Sequence, residues 1–258
     1  MGILNTTPDS FFDGGKYFDN LENAYFRAKE MIELGADIID IGGESSRPGA
    51  VSVSFDEEIK RTIPLIKKIN KNYPTFPISI DTVKPKIAKL AIDNGATMIN
   101  DIFGFRDEEM IKVAQNSNVQ ICVMHMRGNP QNMQKNTKYA DDILEFLLTW
   151  FKNKIKMLTK AGISKDRIII DPGIGFGKSV MDNIKILKNI KIFQKFGLEI
   201  LVGISRKSFL SKILNKESKY LLPATLAVNN FLTFNNVNYL RVHDVKEHID
   251  SKKILSFF

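Results

Sequence analysis

Short runs rich in Ile and Val recur along the chain, and each is followed by a longer stretch in which apolar residues return at helical spacing. The runs fall at 2–5, 37–42, 77–81, 97–101, 119–125, 167–171, 199–205 and 239–243. The helical stretches fall at 21–34, 55–71, 84–93, 107–116, 139–160, 180–195, 220–234 and 246–255. Strands that alternate with helices make repeated βα units, which assemble as a parallel sheet. The pattern predicts an α/β fold, a single (β/α)8 or TIM barrel, and 258 residues is a usual length for one. No Pro-, Ser- or Gly-rich linker divides the chain, so one domain over 1–258 is expected.

The junctions "ELGADIIDIGG", "DNGATMINDIF" and "KAGISKDRIIIDPG" repeat one design, a glycine just past a helix and then a buried strand. Glycine there takes the left-handed conformation that closes the last helical turn. The strand ends carry the chemistry: Asn5, residues 42–44, Asp81, Asn100 with Asp101, His125, Asp171, residues 205–207, and Arg241 with His243. One polar residue at a strand end is more often a turn former or helix cap than a catalyst. Eight strands that all end this way predict a ring of polar groups at the C-terminal face of the barrel, where such folds build their sites.

Composition narrows the choice little. At 43% hydrophobic and 26% charged the chain is an ordinary globular protein. No apolar run approaches the ~18 residues of a membrane span, and there is no secretory leader, so a cytoplasmic enzyme without a membrane partner is expected. The net charge of +8 comes from lysines scattered over helical segments, and no basic run with interleaved aromatics points to nucleic acid. Cys122 is alone in the apolar stretch "VQICVMHM" and is expected in the core of a protein kept reduced.

The stretch "IIIDPGIGFGKS" (168–179) has the look of a phosphate cradle but misses both nucleotide patterns. A P-loop needs a glycine where Pro172 stands, and a dinucleotide fingerprint needs one where Lys178 stands. Lys178 is therefore expected only to start a helix.

The segments "MGILNTTPDSFFDGG", "IGGESSRPGA", "SIDTVKP", "MINDI", "MHMRGNPQNMQ", "DPGIGFGKS", "VGISRKSF" and "LRVHDV" occur in that order. Together they resemble the dihydropteroate synthase family of pterin-binding barrels, from the first residue to near the last. The resemblance implies a transferase of folate biosynthesis. It joins 7,8-dihydropterin-6-ylmethyl diphosphate to 4-aminobenzoate, releases pyrophosphate, uses Mg²⁺, and is a homodimer and a sulfonamide target. It implies that Asp81, Asn100, Met124, Asp171, Phe176, Gly203 and Lys207 bind the pterin. A carboxylate such as Asp171 suits an amidine-like edge, as it suits arginine, and Asn100 offers both a donor and an acceptor. Arg47, Arg241 and His243, with Asn5 as a ligand of Mg²⁺, match the diphosphate site. Phe11, Ser46, Arg47, Pro48 and Ser205 match the aminobenzoate site. Asp81, Lys207, Arg241 and His243 would carry the catalysis, a dissociative substitution in which the aminobenzoate nitrogen is the nucleophile.

Loops 6–16 and 44–54 are expected to close as lids and to be mobile without ligand. Ser46 replaces the Thr usual in the family, and Phe12 replaces a small polar residue. The chain starts almost on its first strand, without the leader usual in the family, so an open apolar surface is expected at the barrel base. Two alternatives use the same pterin-binding acids: a catalytically silent paralogue, and a corrinoid-type methyltetrahydrofolate methyltransferase, which needs no diphosphate clamp.

Overall fold

The computed structural model describes residues 1–7, 20–47 and 49–258. Its strands are β1 (Gly2–Asn5), β2 (Ile39–Gly42), β3 (Ile78–Asp81), β4 (Met98–Asp101), β5 (Gln120–Met124), β6 (Ile168–Asp171), β7 (Glu199–Gly203) and β8 (Tyr239–Arg241). They form one sheet in chain order, and each neighbouring pair is parallel. The sheet closes on itself: Val242 N donates to Met1 O at 2.9 Å, and Ile3 N donates to Val242 O at 2.9 Å. The barrel expected from the alternation is present, with strands trimmed by up to two residues at either end.

Side chains alternate across the barrel wall, as the period of a strand requires. Leu4, Ile39, Ile41, Ile78, Ile80, Ile99, Val123 and Ile170 point outward into the core shared with the helices. Met1, Ile38, Met98, Cys122, Ile169 and Leu201 form a separate apolar plug inside the barrel. The base is not open: Met1 belongs to the plug, only 8% exposed, and its amino group donates to Leu240 O at 3.0 Å.

The helices are α1 (Leu21–Glu33), α2 (Phe55–Asn72), α3 (Pro85–Asp93), α4 (Glu108–Gln115), α5 (Ile143–Lys160), α6 (Val180–Lys188), α7 (Ser208–Leu214), α8 (Leu222–Phe234) and α9 (Val245–Leu255). Asn20, Ser54, Asp107, Asp142 and Ser179 cap the starts of α1, α2, α4, α5 and α6 with their side chains. The repeated junctions close as expected, with Gly35, Gly95 and Gly162 all at positive φ. At Gly95 a Cβ would also lie 2.3 Å from the Asn70 side chain. Two expectations fail. The stretch 180–195 is not one helix: α6 stops at Lys188, and a 3-10 turn over Ile190–Phe196 ends on left-handed Gly197. The short α7 has only seven residues, too few for its periodicity to show in the sequence. No described helix is long and apolar enough to cross a membrane.

Phe151 of α5 is fully buried and meets Trp150 and Phe193 edge to face at 4.9 and 5.7 Å. Phe151→Ala should lower the free energy of unfolding by roughly 3–5 kcal/mol. Urea denaturation checks this, and a loss below about 1 kcal/mol would show that this aromatic packing does not hold α5 to the barrel.

Candidate active site

At the upper end of the barrel the inward positions turn from apolar to charged. Asp81, Asn100, Asp171 and Arg241 come from β3, β4, β6 and β8. Arg241 lies across two acids, with Nε on Asp40 Oδ2 at 2.6 Å and one terminal nitrogen on Asp81 Oδ2 at 2.8 Å. Burial works against the Arg241 charge, yet Asp40 and Asp81 hold its pKa above the ordinary value. Burial pushes the Asp81 carboxyl well above its usual range; Arg241 pulls it down, while Asp40, Glu58 and Asp101 add to the rise. Asn100, 4% exposed, donates from Nδ2 to the same Asp40 Oδ2 at 3.1 Å.

Asp171 closes β6, and its Oδ1 accepts from Gly173 N at 2.7 Å. Burial raises its pKa, opposed first by Lys207. Gly173 has positive φ, and a Cβ there would sit 1.9 Å from His125 O, so the turn after Asp171 admits only glycine. Lys207 follows β7. Its ammonium donates to Ile174 O and lies 4.4 Å from the centre of the Phe176 ring. Burial lowers its pKa to about 8, while Asp171 opposes the shift. Phe176 packs with buried Met124 in a small apolar cluster that also contains Ile102, Met126 and Met133. Gly203 pairs in register with Arg241, and a Cβ on it would touch the Arg241 side chain at 3.6 Å.

His243 stands two residues beyond Arg241, beside buried Ser205. Ser205 Oγ accepts from His243 N at 3.3 Å and lies 2.9 Å from Nδ1. The Ser205 hydroxyl, one donor with two acceptor lone pairs, thereby fixes the position of the His243 ring. Burial, then Arg241, Arg206, Arg47 and Arg27, lower the His243 pKa to about 3, so the ring is a neutral donor. His243, expected at the diphosphate site, is therefore uncharged, first because it is buried and then because of the arginines around it.

Ser46 lines a cleft of ≈ 190 Å³ together with Asp81, Thr82, Lys84, Phe103 and Pro130. Half-buried Arg47 follows it, near enough to bear on the His243 charge. Asn5 ends β1 next to Asp81: a Cβ on Gly42 would lie 3.4 Å from Asn5 Oδ1 and 3.5 Å from Asp81 Cβ. Phe11, Phe12 and Pro48, and most of the first proposed lid, lie outside the described residues.

Several residues play parts that the sequence did not indicate. Lys178 is not merely a helix-start residue. It is 3% exposed, and its ammonium donates to Gly173 O, Phe176 O and His125 O at 2.8, 3.0 and 3.2 Å. It ties together the loop that carries Asp171. The start of α6 carries its own capping box, Ser179 with Asp182. His125 leaves the ring of site groups. It sits edge-on to Trp150 at 4.9 Å and to Phe146 at 5.5 Å, and its Nδ1 has no hydrogen-bond partner among the described residues. Asp40 is a further addition; inside the apolar pattern of "DIIDIGG" nothing marked it. Lys84 binds both Glu44 and the buried Glu58, Thr82 Oγ1 donates to Glu58 Oε1 at 2.6 Å, and Val53 N donates to Glu44 Oε2 at 3.2 Å. Gly49 N donates to Pro130 O at 3.1 Å. These bonds tie the loop after β2 to its neighbours.

Known proteins show the same arrangement at the level of family. The sequence model of the family described as "Pterin binding enzyme" matches residues 1–243. The dihydropteroate synthase of Escherichia coli K12 is 40% identical over 255 residues, which cover 99% of this chain and 89% of that protein. A Yersinia pestis dihydropteroate synthase solved with a sulfonamide drug complex superposes with a TM-score of 0.94 at 36% identity, covering 100% of this chain and 92% of that one. A Clostridium difficile dihydropteroate synthase solved in the presence of pteroic acid superposes with a TM-score of 0.91 at 42% identity, covering 100% and 95%. With its barrel, its ring of strand-end groups and these likenesses along its whole length, the chain belongs to the pterin-binding enzyme family, among the dihydropteroate synthases.

Proposed function

We propose that Asp81, Asn100, Asp171 and Lys207 hold the dihydropterin in this barrel, and that Arg47, Arg241 and His243 receive its departing diphosphate. The reaction is the family's: 7,8-dihydropterin-6-ylmethyl diphosphate and 4-aminobenzoate give 7,8-dihydropteroate and pyrophosphate. The observation that carries the assignment is the proximity of five strand-end groups above an apolar plug: Arg241 bonds Asp81 and shares Asp40 with Asn100, and Lys207 lies within electrostatic reach of Asp171, Arg241 and Asp81.

The side chains suit these tasks. Asp171 keeps an oxygen for the amine and ring N–H of the pterin edge, because Gly173 N engages only Oδ1. Lys207 would turn its ammonium from Ile174 O to the ring carbonyl. Met124 and Phe176 would cover the ring faces. The bond from the methylene carbon to the diphosphate oxygen breaks first, and its electron pair leaves with pyrophosphate. Asp81 and Asp171 favour the delocalised cation left behind, and His243 and Arg47 meet the charge that builds on the leaving group. One preorganised donor of this kind is worth roughly 2.7–4 kcal/mol. The aminobenzoate nitrogen, held near Ser46 and the cleft beside Asp81, then supplies its lone pair to the carbon and gives up a proton to solvent. The Asn5 amide oxygen, beside Asp81, is a hard ligand that would hold Mg²⁺, which would supply positive charge against the diphosphate.

Two further assignments belong to this proposal. Single, buried and free Cys122 suits a reducing cytoplasm. Exposed Ile213 and Leu214 of α7, Phe231 and Phe234 of α8, and Ile254 of α9 suit a contact between two copies of the chain.

Three outcomes follow. Purified protein should release pyrophosphate only when aminobenzoate and Mg²⁺ are both present; pterin binding without such release would make the chain a silent paralogue. Lys207→Ala should weaken pterin binding by about 10- to 100-fold in calorimetry and leave the unfolding midpoint in place. Since the cationic form of Lys207 binds the pterin and its pKa is lowered to about 8, affinity should fall as pH rises through that value, and this alkaline limb should vanish in Lys207→Ala. An unchanged dissociation constant would remove Lys207 from the site. Sedimentation at micromolar concentration should give twice the 29.3 kDa chain mass; a monomer there would withdraw the dimer.

A further inference from the structure

Asp40 lies one step below the ring of site groups. It is fully buried in the middle of β2, opposite Ile3 of β1 and Ser79 of β3. Two residues earlier, Ile38 belongs to the apolar plug. A carboxylate at that depth is costly, and a buried ion pair adds little net stability to offset it. Its hydrogen bonding is also lopsided. Oδ2 accepts from both Arg241 Nε at 2.6 Å and Asn100 Nδ2 at 3.1 Å, whereas Oδ1 has no partner among the described residues. An acid kept only for packing has no reason to be so incompletely satisfied.

That shared oxygen joins groups from opposite walls, since β4 and β8 lie four strands apart in a sheet of eight. It has two chemical consequences. First, a carboxylate can only accept, so it directs the Asn100 amide nitrogen toward the floor and leaves Oδ1 for a donor on the pterin. Second, it holds the Nε edge of Arg241. The guanidinium is then divided between Asp40 and Asp81 rather than given wholly to Asp81. An ionised Asp81 is then only partly neutralised by Arg241 when the cation forms as pyrophosphate leaves.

The geometry points to Asp40 as a positioning residue of the synthase, one that orients Asn100 toward the pterin and shares Arg241 so that the guanidinium does not fully neutralise the Asp81 carboxylate. The inference rests on the assignment of Asp81, Asn100 and Arg241 given under the proposed function.

The test is Asp40→Asn, which keeps shape and removes charge, with Lys207→Ala and Asn100→Ala measured beside it. Asp40→Asn should raise the dissociation constant of 6-hydroxymethylpterin about 10-fold and lower kcat about 100-fold, with the KM for 4-aminobenzoate within about 2-fold of the parent. Combined with Arg241→Gln it should add little further loss, because the two act as a unit. Asp81 faces Arg241 from β8, Asp40 from β2, Glu58 from α2 and Asp101 from β4. Removing the Asp40 charge should therefore move the acid limb of pterin binding to lower pH, a readout that a purely structural role would leave in place. Effects of Asp40→Asn and Arg241→Gln that multiply in full, or a kcat loss that only follows the folded fraction, would overturn the inference. If Lys207→Ala and Asn100→Ala also leave pterin binding unchanged, the site assignment itself fails; if they weaken it and Asp40→Asn does not, only Asp40 is withdrawn. Should Asp40→Asn not fold, the parent protein still decides the matter. The Arg241 Nε–H proton must stay protected from solvent exchange when pterin is added, and exchange as fast as that of an exposed arginine would refute the role.

Discussion

Charge inside a barrel must be paired or it costs several kcal/mol, and Arg241 is where this chain meets that constraint. Its guanidinium reaches Asp40 and Asp81 from the far end of the sequence, 201 and 160 residues away. Without it, Asp40, Asp81 and Asp171 would face one another across a low-dielectric cavity with only the lysines to oppose them. Both upward carboxyl shifts, at Asp81 and Asp171, come first from burial and are restrained by these cations. The site is thus tuned as one electrostatic unit, not residue by residue.

The same constraint explains the division of labour along the barrel axis. The lower interior is apolar, with Met1, Ile38, Met98, Cys122, Ile169 and Leu201 in contact. Water and counterions have no place there, and charged groups gather at the upper level, where a ligand can complete their hydrogen bonds. Asp40 is the exception, an acid one level too deep. Its bonds to Arg241 and Asn100 make it the floor of the site rather than part of the plug. Around this centre the loops are held by other buried charges, Lys178 under the turn after Asp171 and Glu58 with Lys84 under the loop after β2. These buried charges fix the loops that border the ring of strand-end groups.

What the sequence by itself determined was set by local rules. The alternation of apolar runs with helical stretches gave eight βα units, because a strand repeats every two residues and a helix every 3.6. The strand ends, with Asp81, Asn100, Asp171, Lys207 and Arg241 at or just beyond them, were expected at one face, because a parallel barrel brings all such ends together. Tertiary structure alone decided the rest. A chain does not announce which oxygen Arg241 will choose, that burial and arginines will keep His243 neutral, or that Lys178 will turn back to three carbonyls. His125, at a strand end where a structural role was as open as a site role, points into an aromatic cluster, while Asp40 looked like an ordinary strand residue and is the shared partner of Arg241 and Asn100. Hydrogen bonds and pKa shifts depend on distance and burial, and those exist only once residues far apart in the chain have been packed together.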